Sequence, residues 1–130
     1  MIDWGNGLGD LHGKWVKTID FPDDQHVVFT VAYNEQLIYE AEADCCSESW
    51  FWHTENMAPL VGRTVMGSRE LEMPEWNKAV HGASRQDMDQ LYGYEIFYRG
   101  GSVVLEFRNS SNGYYGGSLR RVSAIPEEAA

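Results

Sequence analysis

The sequence lacks long apolar runs, has few cationic residues and contains only two cysteines, and each shortage excludes a class of protein. Its apolar stretches hold a handful of residues, far fewer than the ~20 that a membrane-spanning helix needs. The first residues have neither the basic nor the apolar segment of a secretory signal. We therefore expect a cytoplasmic protein with no membrane partner.

The charge balance is strongly negative, because 10 lysines and arginines face 20 aspartates and glutamates, which gives a net charge of −10. This balance argues against direct binding of nucleic acid or of an anionic membrane surface. Residues 1–60 carry 11 acidic and 2 basic residues (net −9), whereas residues 61–130 carry 9 and 8 (net −1). The first half of the chain therefore predicts an acidic surface.

The two cysteines, Cys45 and Cys46, are adjacent. Consecutive Cα atoms lie about 3.8 Å apart, whereas an ordinary disulfide needs about 5.5 Å. A structural disulfide is therefore not expected, which agrees with a reducing cytoplasm.

Cys45, Cys46 and His53 are the best candidates for a metal site or for cysteine catalysis, and both signals are weak. Zinc sites usually space their cysteines about two to four residues apart, and adjacent cysteines on a strand point to opposite faces. A catalytic thiol needs an electropositive setting, whereas these thiols lie in the most acidic stretch of the chain. We expect no metal, no cofactor and no enzymatic activity.

The chain has 130 residues, of which 43% are apolar, and this is enough material for one domain. Most segments show strand signals: residues 14–21, 26–33 and 36–42 predict an antiparallel meander, and residues 91–99 and 102–109 predict a hairpin that turns at Gly100-Gly101. We predict an α+β fold, mainly antiparallel β, with about 6–7 strands and one short helix over residues 54–62.

Three parts of the chain show no regular pattern. We expect residues 1–12 and 125–130 to be irregular, and residues 73–90 to form a long loop. A loop of that length in a compact domain is usually functional or mobile, and in the first case its aromatic residue, Trp76, is a candidate for binding a partner.

Aromatic residues recur on the predicted strands. Strand alternation places Trp50 and Trp52 on one face and Phe51 on the other, and it places Tyr92, Tyr94 and Tyr98 on one face of a later strand. Core packing and a binding surface both explain these residues, so the sequence leaves the two interpretations open.

Three stretches occur together in one order: Ala43-Asp44-Cys45-Cys46-Ser47-Glu48-Ser49-Trp50, Leu60-Val61-Gly62-Arg63-Thr64-Val65 and Asn109-Ser110-Ser111-Asn112-Gly113-Tyr114-Tyr115-Gly116-Gly117. In this combination the chain resembles a functionally uncharacterised family of small bacteriophage and bacterial proteins with an Asp-Cys-Cys segment and a Ser-Ser-Asn-Gly-Tyr-Tyr strand. The resemblance covers residues 36–122. It implies a phage setting and a bacterial host cell, and it carries no catalytic residues.

We therefore predict a non-enzymatic, phage-type accessory protein that binds and inhibits a host protein, for example as an anti-defence or anti-CRISPR-like inhibitor. An acidic surface competes for basic grooves that normally hold nucleic acid, so a host protein with such a groove is the expected partner. The partner-binding candidates are Trp76 and the acidic residues Asp20, Asp23, Asp24, Glu35, Glu40 and Glu42.

The alternative is a small-ligand-binding domain with an aromatic-lined pocket. Its wall would hold aromatic residues such as Tyr94, Tyr98, Trp50 and Trp52, and Arg108 or Arg120 would fix an anion. The sequence leaves the oligomeric state open.

Overall fold

A computed structural model of the chain describes residues 8–43, 48–71, 75–77, 88–111 and 117–125. This part contains nine strands: β1 (Val16–Asp23), β2 (His26–Val31), β3 (Gln36–Ala43), β4 (Glu48–Trp52), β5 (Gly67–Leu71), β6 (Glu75–Asn77), β7 (Met88–Tyr98), β8 (Gly101–Ser111) and β9 (Gly117–Val122). It also contains three 3₁₀ segments, Gly9–Leu11, Ala32–Asn34 and Thr54–Leu60. Within these residues no helix is long and apolar enough to cross a membrane.

The strands form two sheets in which every observed pairing is antiparallel. The first sheet has the order β1-β2-β3-β9, and the second has the order β4-β8-β7-β5 with β6 also paired to β7. The predicted meander (β1 to β3) and the predicted hairpin (β7 and β8) are both confirmed. The last strand, β9, follows that hairpin in the sequence but pairs with β3 of the first sheet. The nine strands exceed the predicted count.

The two sheets share one hydrophobic core between their inner faces. Alternate residues of β2 and β3, such as Phe29 and Tyr39, are buried beside inward-facing residues of the second sheet, such as Phe51 and Ile96. Phe21 of β1 contacts Phe51 of β4 edge to face, with ring centroids 5.5 Å apart. Sheets that face each other in this way bury one side of every strand.

The aromatic stripe predicted on β7 lies on the core side. Tyr94 is buried in the core, and Tyr92 and Tyr98 pack against it. The ring of Phe107 stacks on Tyr92 at a centroid distance of 4.9 Å and meets Phe51 edge to face at 6.1 Å. The core interpretation therefore holds for this stripe.

The predicted short helix is a 3₁₀ segment, Thr54–Leu60, and Pro59 lies inside it. Pro59 has no backbone N–H to donate, which limits a longer regular helix. The chain leaves this segment through Gly62, whose φ of +84° suits a residue without a side chain.

Two regions expected to be irregular contain ordered elements. Leu8 and Leu11 flank and end the first 3₁₀ segment, and both are buried in the core. Inside the expected loop over residues 73–90, β6 pairs with the beginning of β7. The local pattern did not indicate this pairing because β6 has only three residues.

Candidate functional site

The outer face of the first sheet carries two neighbouring rows of side chains. Strand register places Asp20, Val28, Ile38 and Val122 side by side across β1, β2, β3 and β9. Two residues further along, His26, Glu40 and Arg120 form the next row. Because residues two apart on a strand share a face, the rows lie about 7 Å from each other. We call the first the apolar row (Val28, Ile38, Val122).

The second row continues into a chain of polar contacts, which we call the charged row (Asp23, His26, Glu40, Arg120, Glu42). His26 Nδ1 lies 2.8 Å from Asp23 Oδ1, and His26 Nε2 lies 3.6 Å from Glu40 Oε2. Arg120 donates from Nη2 to Glu40 Oε1 at 3.3 Å, and its Nε forms an ion pair with Glu42 Oε2 at 2.9 Å. The charged row thus crosses all four strands of the sheet.

His26 is the centre of this row and is 2% exposed. An ionised carboxylate only accepts hydrogen bonds, so Nδ1 must donate to Asp23. Partial burial raises the pKa of Asp23, but the hydrogen bonds from His26 and from the backbone N–H of Gln25 outweigh it and hold this pKa below its usual value of 3.8.

The chemistry available to the charged row is ion pairing. The ring of His26 is 2% exposed: Nδ1 donates to Asp23, and Nε2 is buried 3.6 Å from Glu40 Oε2 with no hydrogen-bond partner among the described residues, so His26 does not present a base to a molecule on the surface. Four carboxylates lie on this face (Asp20, Asp23, Glu40, Glu42), and Arg120 is the one guanidinium that pairs with them among the described residues. The face keeps an excess of negative charge.

A groove with a volume of about 440 Å³ adjoins the charged row. Its wall includes Val28 and Ile38 of the apolar row together with Pro22, Ala124 and Ile125, and its polar lining residues are Asp20, Gln36 and Ser123. This volume is within the range of small-molecule sites, which run from about 300 to 1,000 Å³. The groove therefore places an apolar surface next to a negatively charged one.

The structure brings four of the six predicted acidic residues together, namely Asp20, Asp23, Glu40 and Glu42. Asp24 lies in the turn between β1 and β2, and Glu35 lies at the other end of the sheet, where Lys14 pairs with it at 3.2 Å. Trp76 is in β6 of the second sheet, away from these acidic residues. The predicted partner-binding residues therefore do not form one surface.

The weak metal candidates are also separated from this face. His53 follows β4 with a φ of +54°, and its Nδ1 lies 3.5 Å from Glu106 Oε2. Cys45 and Cys46 are outside the described residues. Among the described residues no cluster of histidine, cysteine, aspartate and glutamate is arranged to hold a metal ion.

The residues of the predicted aromatic pocket lie on different faces. Trp50 and Trp52 are on the outer face of the second sheet, where the guanidinium carbon of Arg108 lies 5.7 and 4.6 Å from their ring centroids. Tyr94 is in the core, and Arg120 is in the first sheet. The described groove contains no aromatic residue in its lining, which combines aliphatic residues with Asp20, Gln36 and Ser123.

Sequence reasoning missed His26 as the centre of the charged row and missed Arg120 as its cation. A signal for the first was present: Asp23 and His26 are three residues apart across a predicted tight turn, a spacing that lets their side chains meet. Val28 and Ile38 were also recognisable, because each is an apolar residue among the alternate positions of its strand that are otherwise polar. No local signal pointed to Arg120, because its partners are 80 residues away or nearly so.

Comparison with known proteins gives two matches. A family model described as "Domain of unknown function (DUF7448)" matches residues 9–120. An uncharacterised protein of Acanthamoeba polyphaga mimivirus is 38% identical over 87 residues, which are 63% of this chain and 64% of that protein. The match thus spans less than two thirds of the relative's length. No solved structure matches the chain significantly.

Proposed function

The chain belongs to the DUF7448 family, whose function is unknown, and from that premise we propose that it is a binding protein that engages a positively charged protein partner through the outer face of its first sheet. Membership of an uncharacterised family agrees with the coarser part of the resemblance noted in the sequence. A phage or bacterial origin, and the motifs that suggested it, remain predictions.

One observation supports this proposal above the others: an apolar groove and an excess of carboxylates share one face. The aliphatic residues that line the groove, such as the half-buried Ile38 and Ile125, supply surface that gains free energy when it is removed from water, at about 25 cal/mol per Å². The carboxylates supply a field that attracts cations and orients their approach. A partner with lysine or arginine beside an apolar side chain complements both features.

The partner class that fits best is a protein with a basic surface that normally contacts nucleic acid. Such a surface presents guanidinium and ammonium groups at phosphate spacing, and a carboxylate face competes for them. Binding there would block the partner, which is the inhibitor role predicted from the sequence. The proposal assigns no catalytic step to this face.

A charge series tests the proposal with a matched control. Asp20→Lys reverses an exposed carboxylate in the groove wall, Arg120→Gln removes the cation of the charged row, and Glu70→Lys makes the same reversal on β5 of the second sheet. Each tagged variant is used to capture proteins from a lysate of the source organism at low and moderate salt. We expect Asp20→Lys to lose the captured partner. Arg120→Gln should capture more of the partner than the wild type does, and Glu70→Lys should capture the same amount as the wild type.

Two results would contradict the proposal. One is equal loss from Asp20→Lys and Glu70→Lys, which would show that only the net charge of the chain matters. The other is capture that does not weaken when salt shortens the Debye length from about 10 Å to about 5 Å, because a carboxylate field is screened under those conditions.

A small ligand is the second candidate, and the size of the groove favours it. A ligand for this groove would join an aliphatic part to an amine, because Asp20 is the charged group in its wall. A thermal-shift screen of such amines tests this: a ligand at 100 times its Kd stabilises the fold by about 2.7 kcal/mol. An Ile38→Gln variant that keeps the full shift would exclude the groove as the binding site.

A further inference from the structure

All the large hydrophobic side chains that the described structure leaves exposed lie in three neighbouring segments. They are Trp15 at 43%, Tyr33 at 102%, Val61 at 45% and Met66 at 67% exposure. The segments, residues 13–17, 31–35 and 61–66, lie side by side at one end of the molecule. We call this surface the apolar end (Trp15, Tyr33, Val61, Met66).

Backbone pairing shows that the three segments are neighbours. Trp15 and Thr64 face each other in an antiparallel bridge, and the N–H of Gly62 donates to the carbonyl of Val16 at 2.8 Å. On the other side, Val16 pairs with Val31. The segment 13–17 therefore lies between the other two.

Tyr33 is held outward at the tip of the hairpin between β2 and β3. Tyr33 and Asn34 both have a φ of +63°, which is uncommon for a bulky residue. The turn is closed by a backbone hydrogen bond from Val31 to Glu35 at 2.8 Å, and Lys17 Nζ donates to Asn34 Oδ1 at 2.8 Å. An aromatic ring is thus fixed in water on a backbone conformation that carries strain.

The exposed area of the apolar end matches the requirement of a stable dimer. A large side chain presents about 150–250 Å² when fully exposed, so the four side chains together leave roughly 500 Å² in water. A standard interface covers about 800 Å² on each partner, of which about 60% is apolar. Trp, Tyr and Met, three of the four residue types at the apolar end, are also enriched at protein interfaces.

The charges around the apolar end differ in sign from the net charge of the chain. Its three segments hold Lys14, Lys17, Arg63 and Glu35, a local charge of +2 on a chain of net charge −10. Glu35 pairs with Lys14, and the guanidinium of Arg63 lies over the ring of Tyr98 at 5.2 Å. The negative charge of the chain therefore lies outside the apolar end, and the burial of apolar side chains has to outweigh the repulsion between two ends of charge +2.

We propose that the apolar end is the interface of a homodimer, in which it packs against the same end of a second copy. A two-fold arrangement is the commonest for soluble oligomers and brings each surface against itself. This proposal does not depend on the proposed function, because the charged row and the groove are elsewhere on the first sheet.

Sedimentation equilibrium of the full chain, from about 1 µM to about 500 µM, tests the dimer. We expect a reversible monomer–dimer equilibrium for the wild type. Met66→Glu and Tyr33→Ser should weaken dimerisation at least about tenfold, which corresponds to about 1.4 kcal/mol, because each substitution is present in both copies at the interface. Ile38→Ser on the outer face is the matched control and should leave the equilibrium unchanged. Circular dichroism verifies that each variant is folded.

Either of two results would overturn the proposal. The first is a monomer over the whole concentration range, which would mean that another molecule covers the apolar end or that it stays in water. The second is a dimer that Met66→Glu and Tyr33→Ser leave intact, which would place the interface elsewhere.

Discussion

Replacing His26 with leucine should destabilise the protein far more than its position on an outer face suggests. Leucine is close to histidine in volume, so the change removes the hydrogen bond to Asp23 and leaves little cavity. The variant lacks the contacts of the imidazole to Asp23 at 2.8 Å and to Glu40 at 3.6 Å, and the two carboxylates no longer have an imidazole between them.

The expected loss follows from the exposure of the three side chains. A hydrogen bond to a charged group contributes about 1.5–3 kcal/mol. The side chain of Asp23 is 40% exposed and that of Glu40 is 22% exposed, so solvent screening moves the estimate to the lower part of this range. We expect the free energy of unfolding to fall by about 2 kcal/mol, which lowers Tm by about 6–10 °C for a chain of this size.

Urea unfolding followed by tryptophan fluorescence measures this loss, and His12→Leu is the matched control. His12 is exposed, and among the described residues its one side-chain hydrogen bond is the 2.7 Å contact to Ser68 Oγ, so its replacement should cost less than about 0.5 kcal/mol. A loss below about 0.5 kcal/mol for His26→Leu as well would refute a stabilising role for the charged row.

Acid unfolding gives a second readout of the same contact. The pKa of Asp23 is lower in the folded state than its usual 3.8, so its stabilising contribution is present above pH 3.8 and is lost as pH falls through the folded pKa. In His26→Leu the pKa of Asp23 should return toward its usual value, and this part of the acid transition should disappear. An unchanged acid transition would show that another group causes it.

Three further changes have separate physical causes. Ser102→Ala should raise the pKa of Glu95 toward its usual value in a carboxylate NMR titration, because the hydrogen bond from Ser102 Oγ, together with Arg69, now holds it low. Phe107→Ala should cost about 3–5 kcal/mol in urea unfolding, because this fully buried ring packs against Phe51 and Tyr92. Gly62→Ala should cost about 1 kcal/mol because its φ is +84°, whereas Gly67→Ala, at an ordinary φ with equal space, should be close to neutral.

The strands and their inward faces could be predicted because alternation is a local property. Glu106 separates Leu105 from Phe107 on β8 and Arg108 follows Phe107, and the two glycines before and at the start of this strand identify the hairpin. The partner of β9 could not be predicted in this way. Its pairing with β3 joins Ile38 to Val122, and no local pattern in either segment specifies the other.

The charge distribution shows the same limit for the candidate site. Along the sequence the first half is acidic and the second half is nearly neutral. In the fold, Arg120 and Arg121 of β9 lie beside the acidic half, where they pair with Glu40 and Glu42 and with Asp10. The charge counted along the sequence therefore overstated the negative potential of this face. Only the strand order shows which carboxylates have an arginine beside them.

The late position of β9 in the chain has a consequence for synthesis on the ribosome. Arg120, the partner of Glu40, is synthesised 80 residues after it. At about 5–20 residues per second this interval lasts roughly 4–16 seconds. During this interval one edge of β3 has no neighbour in its sheet, and an open edge is a template for aggregation. Until β9 emerges, the negative charges of Glu40 and Glu42 have no Arg120 beside them and lie along that open edge. Nascent chains on one messenger RNA therefore carry like charges at the edges that would otherwise pair, and these edges repel each other.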